Sequence, residues 1–403
     1  MRIELAARGI AALAAFLVVA GCTTDPAMHT AATRVADDRF VGSQTCGACH
    51  QDHFKGWQDT YHSKMVRPLR EGLLKDALDF WAKDAKGNAG PSKANITGTP
   101  AKLDDVVYVV GSKWKQRYLV KNPQTGNHQF LDKQWNRATR LWEPYGQKND
   151  WETQCSTCHA TAYRVESVGA DNAILRASMT EKNIGCESCH GPGLRHANTR
   201  SKADIFNPRN ASKADADKVC GYCHIRGENE FWRTAQGNVS EHLPHPVAGQ
   251  TYRAGRDDWT TWYTAKYLLP GVHADDPVNR NYPKTDLNNA FYVDEAAQKS
   301  GTFEALKHHQ QYQEHLQTKH AKAGLLACID CHSSHGAPRK EVADAAGCTS
   351  CHGPAMDARK MMPGLAQTAG GLMMRSHAFN PNPRPPRGTT ADQLPPPVYA
   401  YPN

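Results

Sequence analysis

The segment Gly185-Cys-Glu-Ser-Cys-His-Gly-Pro-Gly193 contains the unit on which the interpretation of this sequence depends: two cysteines three residues apart, followed directly by a histidine. The six units of this kind are Cys46-Gly-Ala-Cys49-His50, Cys155-Ser-Thr-Cys158-His159, Cys186-Glu-Ser-Cys189-His190, Cys220-Gly-Tyr-Cys223-His224, Cys328-Ile-Asp-Cys331-His332 and Cys348-Thr-Ser-Cys351-His352. They use twelve of the 13 cysteines and leave only Cys22. Chance cannot account for this complete use, so the units define the class of protein.

Each unit has the spacing of a covalent haem c attachment site. The two thiols form thioethers with the haem vinyl groups, and the adjacent histidine reaches the iron as the proximal ligand. We therefore predict six haem c groups, with the histidines of the units as iron ligands. A redox dithiol or a zinc site also uses Cys-x-x-Cys, and the last two units have the spacing of a zinc ribbon. Neither these sites nor a disulfide framework needs a histidine after every pair.

The hydrophobic content, 39% of 403 residues, is low for an aliphatic core of this size. We expect the haem groups to form much of the core of a hexahaem domain over residues 41–375. The predicted fold is mostly α-helical with long loops, and it carries a small β-hairpin insertion. The units group as one near the N-terminus, three in the middle and two near the end.

The haem-free insertion, residues 66–150, holds the hairpin signals. Val106-Val-Tyr-Val-Val110 and the run 114–120 predict strands, and Asn122-Pro-Gln-Thr-Gly-Asn127 predicts a turn before a return strand over 128–131. We expect Trp135, Trp142 and Trp151 to pack this hairpin against the second haem.

The second long gap predicts loop over residues 240–300 and one helix over Thr302–Ala323, with Thr302 as N-cap and Gly324 as its stop. In such a helix His309 and His320 would lie on one face, about 16 Å apart along the axis. Residues 376–403 are rich in proline and predict an extended tail.

Residues 1–21 have the form of a secretory signal: an Arg-containing start and a short apolar run. The signal ends in Val19-Ala20-Gly21-Cys22, which resembles a bacterial lipobox, so Cys22 is predicted to carry lipid and 22–40 to be a tether. By the same resemblance, Thr23 favours the outer membrane, on its periplasmic or cell-surface side.

No later apolar run is long enough to span a bilayer. The formal charge of +8 comes from scattered Lys and Arg, which argues against nucleic acid as a partner.

Beyond the haem units, the chain resembles a family of exported multihaem cytochromes c that includes the tetrahaem carriers associated with hydroxylamine oxidation. The resemblance covers most of 40–380 and rests on these pieces: Phe40-Val-Gly-Ser-Gln-Thr-Cys46 ahead of Trp57, Tyr108-Val-Val-Gly-Ser112 through Tyr118, the Gly-Pro-Gly turn that ends at Gly193, His309-Gln-Gln-Tyr312, Asp330-Cys-His-Ser-Ser-His335 and Arg375-Ser-His377.

The resemblance implies distal histidines that complete the iron coordination. The predicted distal ligands are His62, His196, His309, His320, His335 and His377, with His245 as the reserve for His377. The histidines expected to lie at the surface or beside haem propionates are His29, His53, His128, His242, His273, His308 and His315. The methionines that could ligate iron but are expected to pack are Met65, Met356, Met361 and Met362.

Six closely spaced haems, most of them bound by two histidines, predict an electron-transfer lipoprotein, because bis-histidine iron stays six-coordinate and has no open site for substrate. Its partners would be redox proteins, and the lipid would attach it to the membrane. The alternative is a reductase or oxidase of nitrogen or sulfur oxyanions with one five-coordinate haem. A third possibility, a filament subunit, has only the Pro-rich tail in its favour.

The complete use of the cysteines predicts six covalently bound haems per chain. Intact-mass measurement after acid–acetone extraction should therefore find all six still attached. A mass with only four or five would mean that some units form disulfides or metal sites.

Overall fold

The fold is described from a computed structural model over residues 38–387, apart from 70–82, 112–113, 138, 146–149, 226–228, 234–238, 241–246, 263–290, 293, 307, 337–345, 355, 368–372 and 383. The signal, Cys22, most of the tether and the tail from 388 onward lie outside the described residues. The described chain from Arg39 onward belongs to one compact unit. None of its described helices is both long and apolar enough to cross a membrane.

Short helices carry the attachment units. The described helices are α1 (Ser43–Gly47), α2 (Gln51–Gln58), α3 (Trp151–Gln154), α4 (Ser156–His159), α5 (Cys186–His190), α6 (Leu194–Thr199), α7 (Lys213–Gly221), α8 (Glu295–Ser300), α9 (Gln311–His315), α10 (Lys319–Lys322), α11 (Cys328–Cys331), α12 (Ala346–His352) and α13 (Ala358–Met361). The longest of them, α7, has nine residues. Isolated helices this short are marginal in water, so their stability must come from packing.

Antiparallel strands fill much of the space between the units. The described strands are β1 (Val66–Pro68), β2 (Val106–Val110), β3 (Lys115–Lys121), β4 (His128–Phe130), β5 (Lys133–Asn136), β6 (Leu141–Pro144), β7 (Arg164–Val168), β8 (Ile174–Ser178), β9 (Asn229–Arg233), β10 (Val239–Ser240), β11 (Gly364–Gln367) and β12 (Met373–Arg375). They form one six-stranded sheet and three two-stranded sheets, β7–β8, β9–β10 and β11–β12.

The prediction of a mostly α-helical fold with a small hairpin is therefore wrong. The six-stranded sheet has the order β1-β2-β3-β5-β6, with β4 paired to β3. Several of its strands are only three or four residues long, and Lys133-Gln-Trp-Asn136 buries polar side chains rather than alternating apolar and polar ones. Such strands carry no period-two signal from which a sheet could be predicted.

The predicted hairpin is nevertheless present inside this sheet. Strand β3 pairs with β2 on one side and, across the turn 122–127, with β4 on the other. The turn closes through Asn122 N to Asn127 O (2.7 Å), and Gly126 takes φ +78°, a conformation that glycine adopts without steric cost.

The two faces of the six-stranded sheet bury different apolar clusters. Successive residues of a strand point to opposite faces. Leu119 therefore joins Val110, Phe130, Trp151 and the half-buried Cys155 on one face. Burial of a leucine such as Leu119 contributes roughly 1.5–3 kcal/mol. This face brings the sheet against the second attachment unit.

Trp135 and Trp142 lie in the other cluster, with Val109 and Tyr118. Their rings meet edge to face, with centroids 5.0 Å apart. Only Trp151 of the three predicted tryptophans therefore packs beside the second unit. Trp135 and Trp142 are cross-strand partners, so their side chains lie on the same face of the sheet. That face is the one opposite to the face that packs beside the second unit.

The predicted helix over Thr302–Ala323 is also wrong, because the structure has α9 and α10 separated by a break. The side chains of the segment capture backbone groups that a continuous helix would use internally. Gln317 bonds Phe303 N at 2.9 Å and Phe303 O at 3.0 Å, and Glu314 accepts Ala305 N at 2.7 Å. Thr318 then caps a new helix by accepting Ala321 N. Gly324, with φ +62°, follows the end of α10 as predicted.

Candidate haem-binding sites

Each attachment unit forms a tight helical turn. His50 N donates to Cys46 O at 2.9 Å, and the same bond recurs at His224 (2.9 Å) and His332 (2.8 Å). This turn puts both cysteines and the histidine of a unit on one side. None of the twelve cysteines of the units forms a disulfide.

The structure brings every predicted distal histidine to a different proximal histidine, and His50 also has the ring of His53 at 6.4 Å. The six ring pairs and their centroid separations are His50–His196 (6.0 Å), His159–His309 (6.4 Å), His190–His335 (6.0 Å), His224–His62 (6.3 Å), His332–His377 (5.9 Å) and His352–His320 (5.9 Å). The two rings of a pair come from distant segments, so no local pattern could have given this pairing.

These separations fit one iron atom between the two rings of each pair. Imidazole nitrogens bind metals at about 2.0–2.1 Å, so two ligands on opposite sides of one metal have centroids about 6.3 Å apart. The angle between ring planes varies from 7° in His190–His335 to 87° in His352–His320. This variation is compatible with the fit, because turning a ring about the line through the metal leaves its nitrogen in place.

Backbone carbonyls fix the ring nitrogen that would face the iron. His190 Nδ1 donates to Phe206 O (2.8 Å), His196 Nδ1 to Ser201 O (2.9 Å) and His377 Nδ1 to Arg375 O (3.0 Å). A carbonyl only accepts, so Nδ1 carries the proton and Nε2 keeps its lone pair. Metal-bound histidines commonly hold their second nitrogen in this way.

Burial favours the neutral imidazole, the form that binds a metal. It lowers the pKa of His190, His320 and His335 below the usual range. At His377 burial, with His332 nearby, lowers the pKa to about 3. These rings are therefore neutral at physiological pH.

The segment that presents His377 is held by the buried carboxylate of Glu314. Glu314 accepts His377 N at 2.7 Å and Ser376 Oγ at 3.1 Å. Burial raises the pKa of Glu314 to about 7. Ser376 is fully buried, so the start of the Pro-rich stretch is packed into the protein.

The attachment units lie next to one another. Cysteine sulfurs meet in hydrogen-bonding contacts between units one and three (Cys46–Cys186), two and four (Cys158–Cys223), and four and five (Cys220–Cys328). The thiols of units three and four, and of five and six, lie near one another. The six units therefore form one continuous group.

The described histidines that were not predicted as ligands have other partners. His128 pairs with Glu152, His315 Nε2 lies 3.1 Å from Asp217, and His308 packs 4.1 Å from the ring of His309. His53 packs 4.5 Å from the ring of His335, a contact that sequence reasoning missed. His29, His242, His245 and His273 lie outside the described residues. Met65 packs in the sheet core, as predicted for the methionines.

No group of three or more His, Cys, Asp or Glu side chains within the described ranges is arranged to hold a metal ion by itself.

Part of the chain is similar to known cytochromes. Residues 112–191, which contain the second and third units, match the family model described as Cytochrome c554 and c-prime. A cytochrome c-554 of Nitrosomonas europaea is 22% identical over 230 residues, which is 54% of this chain and 71% of the relative. The chain resembles the multihaem cytochromes c. The resemblance to this family inferred from the sequence is thereby confirmed.

Two solved structures are also similar to this cytochrome. The outer cell wall cytochrome OcwA is 23% identical with a TM-score of 0.48, covering 74% of this chain and 57% of that one. An undecahaem cytochrome from the S-layer of Carboxydothermus ferrireducens is 17% identical with a TM-score of 0.40, covering 81% of this chain and 44% of that one. The cytochrome thus spans about half the length of these structures.

Two glycines that sequence reasoning missed allow the loop of His335 to reach its place. A Cβ at Gly56, in α2, would lie 2.0 Å from His335 O, and one at Gly336 would lie 2.4 Å from Gly56 O. Gly336 also takes φ +86°. The two backbones therefore touch, and neither position has room for a side chain. The only sequence signal for this contact was Gly56 itself, because glycine is unfavourable inside a helix.

Substitution Gly56→Ala should therefore push the His335 segment away from His190. We expect the protein to lose one low-spin haem signal in electron paramagnetic resonance (EPR) and gain one high-spin signal. The control is Gly169→Ala, because Gly169 has an ordinary φ of −98° and a Cβ there would meet only the Leu175 side chain, at 3.4 Å. A Gly56→Ala spectrum identical to the control would contradict the role of this contact.

Proposed function

We propose that the cytochrome binds six haems, each between two histidines, and transfers electrons along them to and from other redox proteins. The observation that carries this proposal is the set of six ring pairs, each 5.9–6.4 Å apart. The number of pairs equals the number of attachment units, and each unit contributes one ring. Multihaem c-type cytochromes as a class transfer electrons, which fits a protein whose haems all have two protein ligands.

The residues would divide the work as follows. The iron of a bound haem supplies one-electron chemistry at a potential set by its ligands and surroundings. The cysteines tether the macrocycle, and the paired histidines hold the iron from both sides. The carbonyls of Phe206, Ser201 and Arg375 fix three of these rings and make them more basic, which favours the oxidised metal. Because both histidine ligands of an iron would be held in place, few atoms would have to move when the iron gains or loses an electron.

The contacts between units support one order for the electron path. Unit one adjoins three, three adjoins four, four adjoins five and five adjoins six. Unit two adjoins four through Cys158 and Cys223, so it would form a branch. The fourth haem would then be the junction, with three neighbours.

An enzymatic function is the second candidate, and one observation favours it. His309 has φ +71°, a left-handed conformation that strains a residue with a side chain. Release of His309 would relieve this strain and leave the second haem with one protein ligand. The cytochrome would then be a reductase or oxidase of nitrogen or sulfur oxyanions, as the sequence alternative supposed.

Substitution of single distal histidines tests the pairing. His309→Ala and His320→Ala should each convert one of six low-spin haems to high-spin in the EPR spectrum, because each removes one iron ligand. His308→Ala and His315→Ala are the matched controls and should keep six low-spin signals. If all four variants behave alike, the pairing is wrong. A stoichiometric high-spin signal already present in the unaltered protein would favour the enzyme.

The membrane attachment of the cytochrome is a separate proposal. It rests on the lipobox-like Val19-Ala20-Gly21-Cys22 and the apolar run before it. Lipid on Cys22 would hold the exported protein on the bacterial outer membrane, at its periplasmic or cell-surface side.

Substitution Cys22→Ser should move the cytochrome from the membrane fraction to the soluble fraction, because it removes the only site for the lipid. The haem spectrum should stay unchanged, since Cys22 belongs to no attachment unit. Fractionation followed by haem staining measures both. Continued sedimentation of the variant with membranes would show that something other than Cys22 anchors the protein.

A further inference from the structure

Glu187 is a buried carboxylate inside the third attachment unit, and all its described hydrogen-bond partners are backbone amides outside that unit. Oε1 accepts Gly193 N at 2.7 Å, Oε2 accepts Gly42 N at 2.8 Å, and both oxygens lie 3.0 Å from Val41 N. Glu187 is only 2% exposed. A buried carboxylate needs such donors, because burying a charge without them is costly.

Two of these amides lie at the beginnings of helices. Gly42 is the N-cap of α1 and Gly193 the N-cap of α6, and neither has a side chain to cap its helix. The first amides of a helix have no partner within it, and the N–H of the N-cap residue is often satisfied by a carboxylate side chain, as in a capping box. Here a single carboxylate, distant in sequence from Gly42, serves both helix starts.

These two helices present both histidines of the first ring pair. Helix α1 contains Cys46 and leads into His50, and α6 contains His196. The rings of His50 and His196 are 6.0 Å apart. Glu187 therefore connects the two sides of this gap to each other and to α5, which carries the third unit.

A second link reinforces the start of α1. Ser43 Oγ donates to Glu181 Oε1 at 2.5 Å and accepts Cys186 N at 3.0 Å. It ties α1 to the third unit but does not contact α6. Among the described side chains that these hydrogen bonds involve, Glu187 is the one that holds both helices.

We infer that Glu187 is a positioning residue for the first haem, setting the separation and orientation of His50 and His196 from within the third attachment unit. The inference rests on the proposed function, because it takes His50 and His196 as ligands of one iron. It predicts that a change within the third unit alters the first haem.

The test compares Glu187→Gln with Glu152→Gln. The amide keeps one acceptor but turns the other oxygen into a donor that faces N–H groups. Glu152 is the matched control: a buried carboxylate just ahead of the second unit, whose partners are the His128 backbone and ring. His196→Ala first identifies the low-spin EPR signal of the first haem as the one that disappears.

We expect Glu187→Gln to shift that signal and the midpoint potential of that haem, while the signals of haems two, four, five and six stay in place. Hydrogen exchange should become faster in peptides that contain Val41, Gly42 and Gly193. Glu152→Gln should change neither. An unchanged first-haem signal, or an equal shift of all six, would overturn the inference.

Two further measurements keep the outcome clear. If Glu187→Gln yields no mature protein, Glu187→Asp keeps the charge but shortens the reach, and it must shift the same signal. If His196→Ala removes no low-spin signal, the proposed ligand pairing fails. Hydrogen exchange at the three amides then still decides whether Glu187 holds the two helices, because it does not depend on the haem.

Discussion

The gap of about 6 Å between paired imidazole rings is the constraint on which the surrounding structure depends. A metal–imidazole bond tolerates an error of only a few tenths of an ångström, so both backbones that supply a pair must be fixed. Helices this short are not stable by themselves, so they cannot hold a histidine ring in place without other contacts. The structure uses carbonyls on Nδ1, the buried carboxylates of Glu187 and Glu314, and the Gly56–Gly336 backbone contact instead.

The sequence was most informative where chemistry demands a fixed local spacing. The Cys-x-x-Cys-His units form the expected turns, and the turn 122–127 and the stop at Gly324 lie where glycine was needed. The candidate distal histidines came from the resemblance, but their partners did not, because pairs such as His62 with His224 depend on the folding of distant segments.

The failures have a common physical cause: polar side chains that are buried in the fold. A helix was expected over Thr302–Ala323 from residue preferences, but Glu314 and Gln317 are buried and take the amides of Ala305 and Phe303. The six-stranded sheet was underestimated for a related reason. Gln134 and Asn136 are buried in it, so no alternating apolar pattern marked β5. The preference of each residue type for helix or strand therefore predicts neither the break in the helix nor the strands of the sheet.

The long sequence separation within ring pairs bears on how the protein matures. His159 faces His309, 150 residues later, and His190 faces His335, 145 residues later. A chain that emerges with its N-terminus first would receive haem at the second and third units before their opposite ligands exist. Such intermediates would hold one-sided, reactive iron at these two units, and the arrival of His309 and His335 would then act as the closing step that protects them.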